Sequence, residues 1–327
     1  MSHSSLTGAE TLDASERSAV AGASSSGFAP VVIFCYRRPD HLRRMLESLV
    51  ACDGFDSSPV IVFGDGPKSP KEAGMVEQTR EMARDLLGER AEYYFRKENT
   101  GLARSIIEGV TAVVARFGRA IVIEDDLELA PGFLTYMNRA LESFADDDRV
   151  WQVSGYMFDV PEFRTRSQAL FLPILVSWGW ATWKRAWDQF DPLATGWEVL
   201  ESDPSLRLRF NLDGAYDYTT MLKRQMSGQL DSWAIRWYWT VFREDGLVLF
   251  PPRTLVHNHG LDGSGTHGHG FLRRFSSSPR FLTNEIPFIP KDIAYRQEDY
   301  WSFVRTVYKW NGGLWGKILS KIASFLR

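Results

Sequence analysis

The segment "IVIEDDLELAPGF", residues 121–133, runs from three apolar residues straight into Glu124, Asp125 and Asp126. A short apolar, β-branched run of this kind reads as a buried strand, so the three carboxylates stand where that strand ends. Carboxylates a few ångströms apart raise one another's pKa and resist ionising together. A divalent cation removes the conflict, and an all-oxygen donor set suits the hard ions Mg2+ and Mn2+. Such ions are usually held by one or two carboxylates, with substrate phosphates and water completing the shell. The natural partner of this strand end is therefore a metal together with a nucleotide diphosphate. The competing reading is a solvated acidic turn, or the acidic first turn of a helix.

Outward from this segment the same unit recurs. In "PVVIFCYRRPDHLRRMLESL" (30–49) an apolar run at 31–35 precedes a basic turn, a Pro-Asp helix start, and a helix with Leu42, Met45, Leu46 and Leu49 on one face. "VIVFGDG" (60–66) precedes a helical stretch at about 70–88, and "AEYYFRK" (91–97) precedes a helix over 101–117. "AIVIEDD" (120–126) precedes "PGFLTYMNRALESF". Strands alternating with helices predict an α/β fold, a mostly parallel sheet with helices on both faces. Ligands of such sheets bind at the carboxyl ends of the strands. Those ends carry Arg37, Asp65 and Glu124 to Asp126.

The 327 residues are 44% hydrophobic, enough for one large domain or two ordinary ones, and the net charge of -3 gives no general attraction to nucleic acid or anionic lipid. Cys35 and Cys52 are too sparse for a disulfide framework. No run of 18 or more apolar residues is present, and the N-terminus lacks the basic start and apolar stretch of a signal peptide. A cytoplasmic location is the expectation. Residues 1–28, rich in Ser, Ala and Gly, read as a disordered arm. The second half, with "VWQVSGYMF" and "ALFLPILVSWGWATWKRAWDQFDP", is aromatic and reads as mixed strands and loops. Residues 252–280 hold four of the six histidines among glycines and read as a long mobile loop. The tail places Leu314, Trp315, Ile318 and Leu319 on one helical face, which suits packing on the body or peripheral contact with the inner face of a membrane.

The blocks "VVIFCYRRPDHLRRMLESL", "FGDG", "VIEDDLELAPGFLTYM", "VSGY", "WGWATWKRAW" and "LDSW", in this order, resemble the GT-A glycosyltransferases. The N-acetylglucosaminyltransferase I type and the bacterial sugar transferases related to it are the nearest in pattern, over roughly residues 30–270. The resemblance implies a Rossmann-like nucleotide-sugar-binding half at 29–150, an acceptor-binding half at 151–290, and a helical tail at 291–327. It further implies a UDP-sugar donor, Mn2+ or Mg2+, inversion at the transferred sugar, and a saccharide or lipid-linked saccharide acceptor, with no nucleic acid. Asp126 would contact the metal, Glu124 and Asp125 would meet ribose, water or sugar, and Asp65 would bind the uridine. Arg37 would lie by the phosphates, where a guanidinium matches phosphate geometry in two-pronged fashion; the alternative is an exposed pair of Arg37 with Arg38. Trp180, with Trp178 and Trp183, would lie beside donor sugar and acceptor, against the ordinary expectation that tryptophans fill a core. A late-loop histidine, His257, His259 or His267, would add a metal ligand, with His259 taken as the candidate.

An inverting transferase needs a carboxylate to take the acceptor hydroxyl's proton. Asp231 in "GQLDSWAIRWYW" is the candidate, where the resembling enzymes carry Asp-Asp-Trp. Either Asp231 serves as the base, or Ser232 stands in the base's register and Asp231 caps the following helix. Two rivals stay open: a nucleotidyltransferase of sugar phosphates, which would carry a Gly-rich loop after the first strand, and a non-catalytic glycan-binding module.

Overall fold

The computed structural model of the protein describes residues 27–260 and 283–311. Most of the expected arm, the segment 261–282 with His267, and the expected amphipathic tail from residue 312 lie outside the described residues.

Strand β1 (Val31–Cys35) is apolar and buried at every position, as a strand covered on both faces must be. Pro39 opens α1 (Pro39–Val50), Asp40 occupies its first turn, and Leu42, Met45, Leu46 and Leu49 form the buried stripe. The unit repeats in β2 (Val60–Gly64), α2 (Ala73–Leu87), β3 (Ala91–Phe95) and α3 (Leu102–Phe117). The chain then crosses to the far side of β1 as β4 (Arg119–Glu124). β1 pairs in parallel with both β2 and β4, giving the order β3-β2-β1-β4. Connections leave β1 in one direction and return on its other side, so the β1/β4 boundary is a topological switch point, where a crevice opens at the strand ends.

β5 (Leu127–Leu129), α4 (Phe133–Ser143), β6 (Val150–Ser154), β7 (Leu170–Leu172), β8 (Trp180–Trp183) and β9 (Leu247–Phe250) follow. Four of these strands continue the same sheet as β4-β8-β6-β9-β7, with β8 antiparallel to both neighbours. One eight-stranded sheet thus runs through both halves of the chain. The fold is of GT-A type: a doubly wound parallel half joined to a mixed half. β10 (Val256–Asn258) pairs antiparallel with β5 in a small second sheet. That corrects the expectation of a mobile loop beginning at residue 252, because ladder bonds to β5 hold residues 256–258 beside the acidic strand end.

Helices α5 (Tyr218–Met226), α6 (Trp233–Arg243) and α7 (Gln297–Trp310) complete the main elements. No helix among the described residues is long and apolar enough to cross a membrane. α6 packs on α3 and closes an aromatic core: Trp180 stacks on Trp233 at 4.9 Å, Trp187 lies 5.1 Å from Trp237, and Trp237 donates to Gln152 Oε1 at 3.0 Å. Trp180 is fully buried. Its expected place beside a sugar is therefore corrected: its position in β8 turns the indole into the layer between sheet and helices, out of reach of any ligand. Trp183 is likewise spent, donating to the Leu141 carbonyl.

Trp180→Ala is expected to cost about 3–5 kcal/mol, as large core truncations do. Trp180→Phe costs less than it would at a hydrogen-bonded site, because Trp180 Nε1 has no hydrogen-bond partner to lose. Urea unfolding of both variants followed by circular dichroism measures the difference.

Candidate active site

Glu124, the last residue of β4, pairs across from Phe34, and Asp125 and Asp126 form the turn into β5. Asp125 is buried and Asp126 keeps 14% of its side chain exposed. Arg38, the residue before α1, reaches over from the neighbouring strand end. Its Nη2 donates to Asp125 Oδ1 and, at 3.0 Å, to Asp126 Oδ2. The Tyr36 amide donates to the other Asp125 oxygen at 3.3 Å. Burial pushes the Glu124 carboxyl up to about 8, with Asp126 and Asp125 adding to the effect and Arg38 offsetting only part of it. Burial likewise raises Asp125, against the opposing pull of Arg38. For Arg38 burial works against the charge, but Asp125 and Asp126 more than offset it and hold the guanidinium protonated.

Arg37, expected by the phosphates, does not join the acids. Its Nη1 pairs with Glu72 at 2.9 Å, and 48% of its side chain is exposed. Glu72 also accepts from the Tyr36 hydroxyl at 2.5 Å and the Lys68 amide at 3.1 Å. The two adjacent arginines of this irregular turn thus take different partners, Arg37 the Glu72 carboxylate and Arg38 the acids at the end of β4.

The strand end fits a divalent metal on two counts. Its donors are carboxylate oxygens, the hard set that Mn2+ and Mg2+ take. A cationic group, the Arg38 guanidinium, already bridges Asp125 and Asp126. Gly260 packs directly on the Asp126 carboxylate, a Cβ there standing 2.0 Å from Asp126 Oδ2. Among the described residues no three His, Cys, Asp or Glu side chains converge as a ready ligand set.

His259 is brought to this place by β10. Its amide donates to the Asp126 carbonyl at 2.8 Å, and its Nε2 lies 2.6 Å from Glu128 Oε2. Nδ1 is then the ring nitrogen left for a ligand, in the arrangement by which a carboxylate orients a metal-binding histidine. Glu128 is a residue that sequence reasoning did not single out. The alternation of Leu127, Glu128 and Leu129, buried, half-buried, buried, is the signal that could have found it.

Asp65 and Asp231 occupy the same rim. Asp65, nearly buried, accepts from the amides of Gly66, Thr100 and Gly101 at 3.0, 2.9 and 3.0 Å. Its carboxylate thereby ties the end of β2 to the loop entering α3, and a uridine contact would share oxygens that already carry these donors. Asn99 Nδ2 reinforces the tie by donating to the Gly66 carbonyl at 2.9 Å. Gly101 takes φ 88°, which only glycine adopts without strain, and a Cβ there would lie 3.0 Å from Asp231 Oδ2. Ser232, and not Asp231, caps α6, its hydroxyl accepting from the Ile235 amide at 3.4 Å. Asp231 is thus free of that duty, 62% exposed, with Arg236 Nη2 3.9 Å away. Trp178, half-buried, meets Tyr156 edge-on at 4.6 Å. A cavity of about 420 Å³ lined by Phe28, Phe117, Arg119 and Trp183 opens among the strand starts of β1 and β4, at the opposite edge of the sheet from these acids.

Residues 31–225, more than half of the chain, match the family model described as glycosyl transferase family 2. The chain belongs to that family. Among solved structures it is similar to a mannosyltransferase from Pyrobaculum calidifontis in complex with GDP-Man and Mn2+, at 16% identity and a TM-score of 0.32, covering 50% of this chain and 47% of that one. It is also similar to glucosyl-3-phosphoglycerate synthase from Mycobacterium tuberculosis in complex with Mn2+, UDP and glucosyl-3-phosphoglycerate, at 13% identity and a TM-score of 0.32, covering 52% of this chain and 61% of that one. The chain thus spans between about half and three fifths of the length of these structures. Likeness this distant says nothing of donor or acceptor.

Two outcomes follow from this geometry. Glu124 holds its proton in the folded protein up to about pH 8 but releases it near 4.5 when unfolded, so its contribution to stability is full at low pH and declines as pH rises between those values. Glu124→Gln should therefore raise the melting temperature in EDTA near pH 8 and change it little near pH 5, by about 2–4 °C for each kcal/mol relieved. Gly260→Ala should displace the Asp126 carboxylate and weaken Mn2+ binding by about 10-fold or more, as disturbed supporting groups do, with little change in the urea midpoint.

Proposed function

We propose that this chain is a metal-dependent, inverting glycosyltransferase of hexosyl or N-acetylhexosaminyl type. It moves a sugar from a UDP-sugar to a saccharide or lipid-linked saccharide acceptor in polysaccharide or glycoconjugate assembly. The observation that carries this reading is the carboxylate cluster at the β1/β4 switch point, bridged by a cationic side chain, with an exposed, uncapped Asp231 on the same rim. Asp126, with His259 beside it, would hold Mn2+ or Mg2+, and the bound ion supplies positive charge against the diphosphate leaving group. Asp125 and Glu124 face the ribose, sugar and their water. Asp65 keeps the amides of Thr100 and Gly101 in place at the base-binding end.

Asp231 accepts the proton of the acceptor hydroxyl while that oxygen attacks the anomeric carbon and the bond to the diphosphate oxygen breaks. Attack from the face opposite the leaving group inverts the configuration. The turn from Tyr36 to Arg38 carries no glycine, which disfavours the nucleotidyltransferase alternative. A cytoplasmic site of action, with the tail at the inner membrane face, belongs to the same proposal.

The test is nucleotide release from a panel of UDP- and GDP-sugars, with Mn2+, with EDTA, and in variants. Release that needs metal, disappears in Asp126→Ala, and falls about 10²–10⁴-fold in kcat for Asp231→Asn with nucleotide affinity retained is the expected result. No release from any donor, together with no UDP or GDP binding by calorimetry, sinks the reading.

A further inference from the structure

The Arg38 guanidinium lies where a cation belongs. Its Nη2 bonds Asp125 Oδ1 and stands 3.0 Å from Asp126 Oδ2. That Asp126 oxygen also packs against Gly260, where a Cβ would stand 2.0 Å from it. A divalent ion coordinated by either oxygen of the carboxylate would sit about 2 Å from it. The ion and the guanidinium would then be like charges sharing one carboxylate, and they compete for it.

We propose that Arg38 is a resident counter-cation that occupies the metal-binding carboxylates in the unloaded protein and passes to the donor's diphosphate when metal and nucleotide bind. The inference rests on the glycosyltransferase reading for the identity of the anion, but not for the competition itself. The backbone of Arg38 is fixed, since its carbonyl accepts from the Leu42 amide at 3.0 Å in the first turn of α1, so the step is a swing of one long side chain. The guanidinium fork that suits a carboxylate suits a phosphate equally. The diphosphate offers Arg38 a second anion, and Asp126 is vacated for the metal. Each ligand therefore favours the other, and by linkage the two effects are equal in size. Arg37 is paired with Glu72 at 2.9 Å.

The experiment is calorimetric titration of the full chain with MnCl2 alone, with UDP alone, and with each in the presence of the other, for the wild type, Arg38→Gln and Arg38→Lys. The wild type should bind Mn2+ alone weakly and show a coupling factor within about 5–150-fold. Arg38→Gln should bind Mn2+ alone about 10-fold or more tightly than the wild type and lose most of the coupling. Arg38→Lys keeps a charge but not the fork, so its coupling should fall while its affinity for Mn2+ alone stays weak. Circular dichroism in EDTA confirms that each variant is folded; if Arg38→Gln is not, the coupling in Arg38→Lys decides. Equal Mn2+ affinity in wild type and Arg38→Gln, or unchanged coupling in Arg38→Lys, overturns the proposal. Absence of UDP binding to the wild type under every condition removes the uridine reading, while the Mn2+ titrations of wild type and Arg38→Gln still test the competition.

Discussion

Gathering Glu124, Asp125 and Asp126 at one strand end is costly, and the rest of the crevice is arranged around that cost. Three carboxylates, one buried and two partly so, cannot all ionise without positive charge among them. The protein supplies one guanidinium from the next strand end, bonded to Asp125 and Asp126, and the Glu124 and Asp125 carboxyls both stay raised in spite of it. The deficit of positive charge is a property of the unloaded protein. A divalent ion, which brings two charges and accepts oxygen donors from protein and phosphate alike, would meet it.

The parallel half and the mixed half contribute different things. The parallel half brings β1 and β4 side by side, and with them the Arg38 turn and the acids. The mixed half supplies rigidity and the opposite wall. β8 runs antiparallel to β4 and fills the space above α3 with tryptophans, which fixes α6 and so the position of Asp231 just ahead of its first turn. The small β5–β10 sheet brings residues from far along the chain, His259 and Gly260, back against Asp126. Large rigid aromatics suit this supporting role because they bury much area at small entropic cost.

Periodicity and turn chemistry made the doubly wound half legible: the apolar runs at 31–35, 60–64 and 120–123 could only be buried strands, and Pro39 marked a helix start. The acid cluster was legible for the same reason, since its place at a strand end follows from local pattern alone. Arg38 was not separable from Arg37, because the direction of a side chain in an irregular turn depends on backbone angles that no sequence period sets. Trp180 was misplaced for a related reason: a tryptophan is equally at home under a helix and against a sugar, and only the neighbours Trp233 and Trp187 decide.

The sequence by itself determined that strands alternate with helices, that the ligand end of the sheet is acidic, and which carboxylates stand there, because these depend on residues within one or two turns of each other. Tertiary structure alone decided which arginine meets the acids, that Ser232 rather than Asp231 caps α6, and that β10 lays His259 and Gly260 beside Asp126. Each of these joins residues distant in the chain or selects one of two adjacent side chains, and the selection is made by close packing of elements whose positions local propensity does not contain.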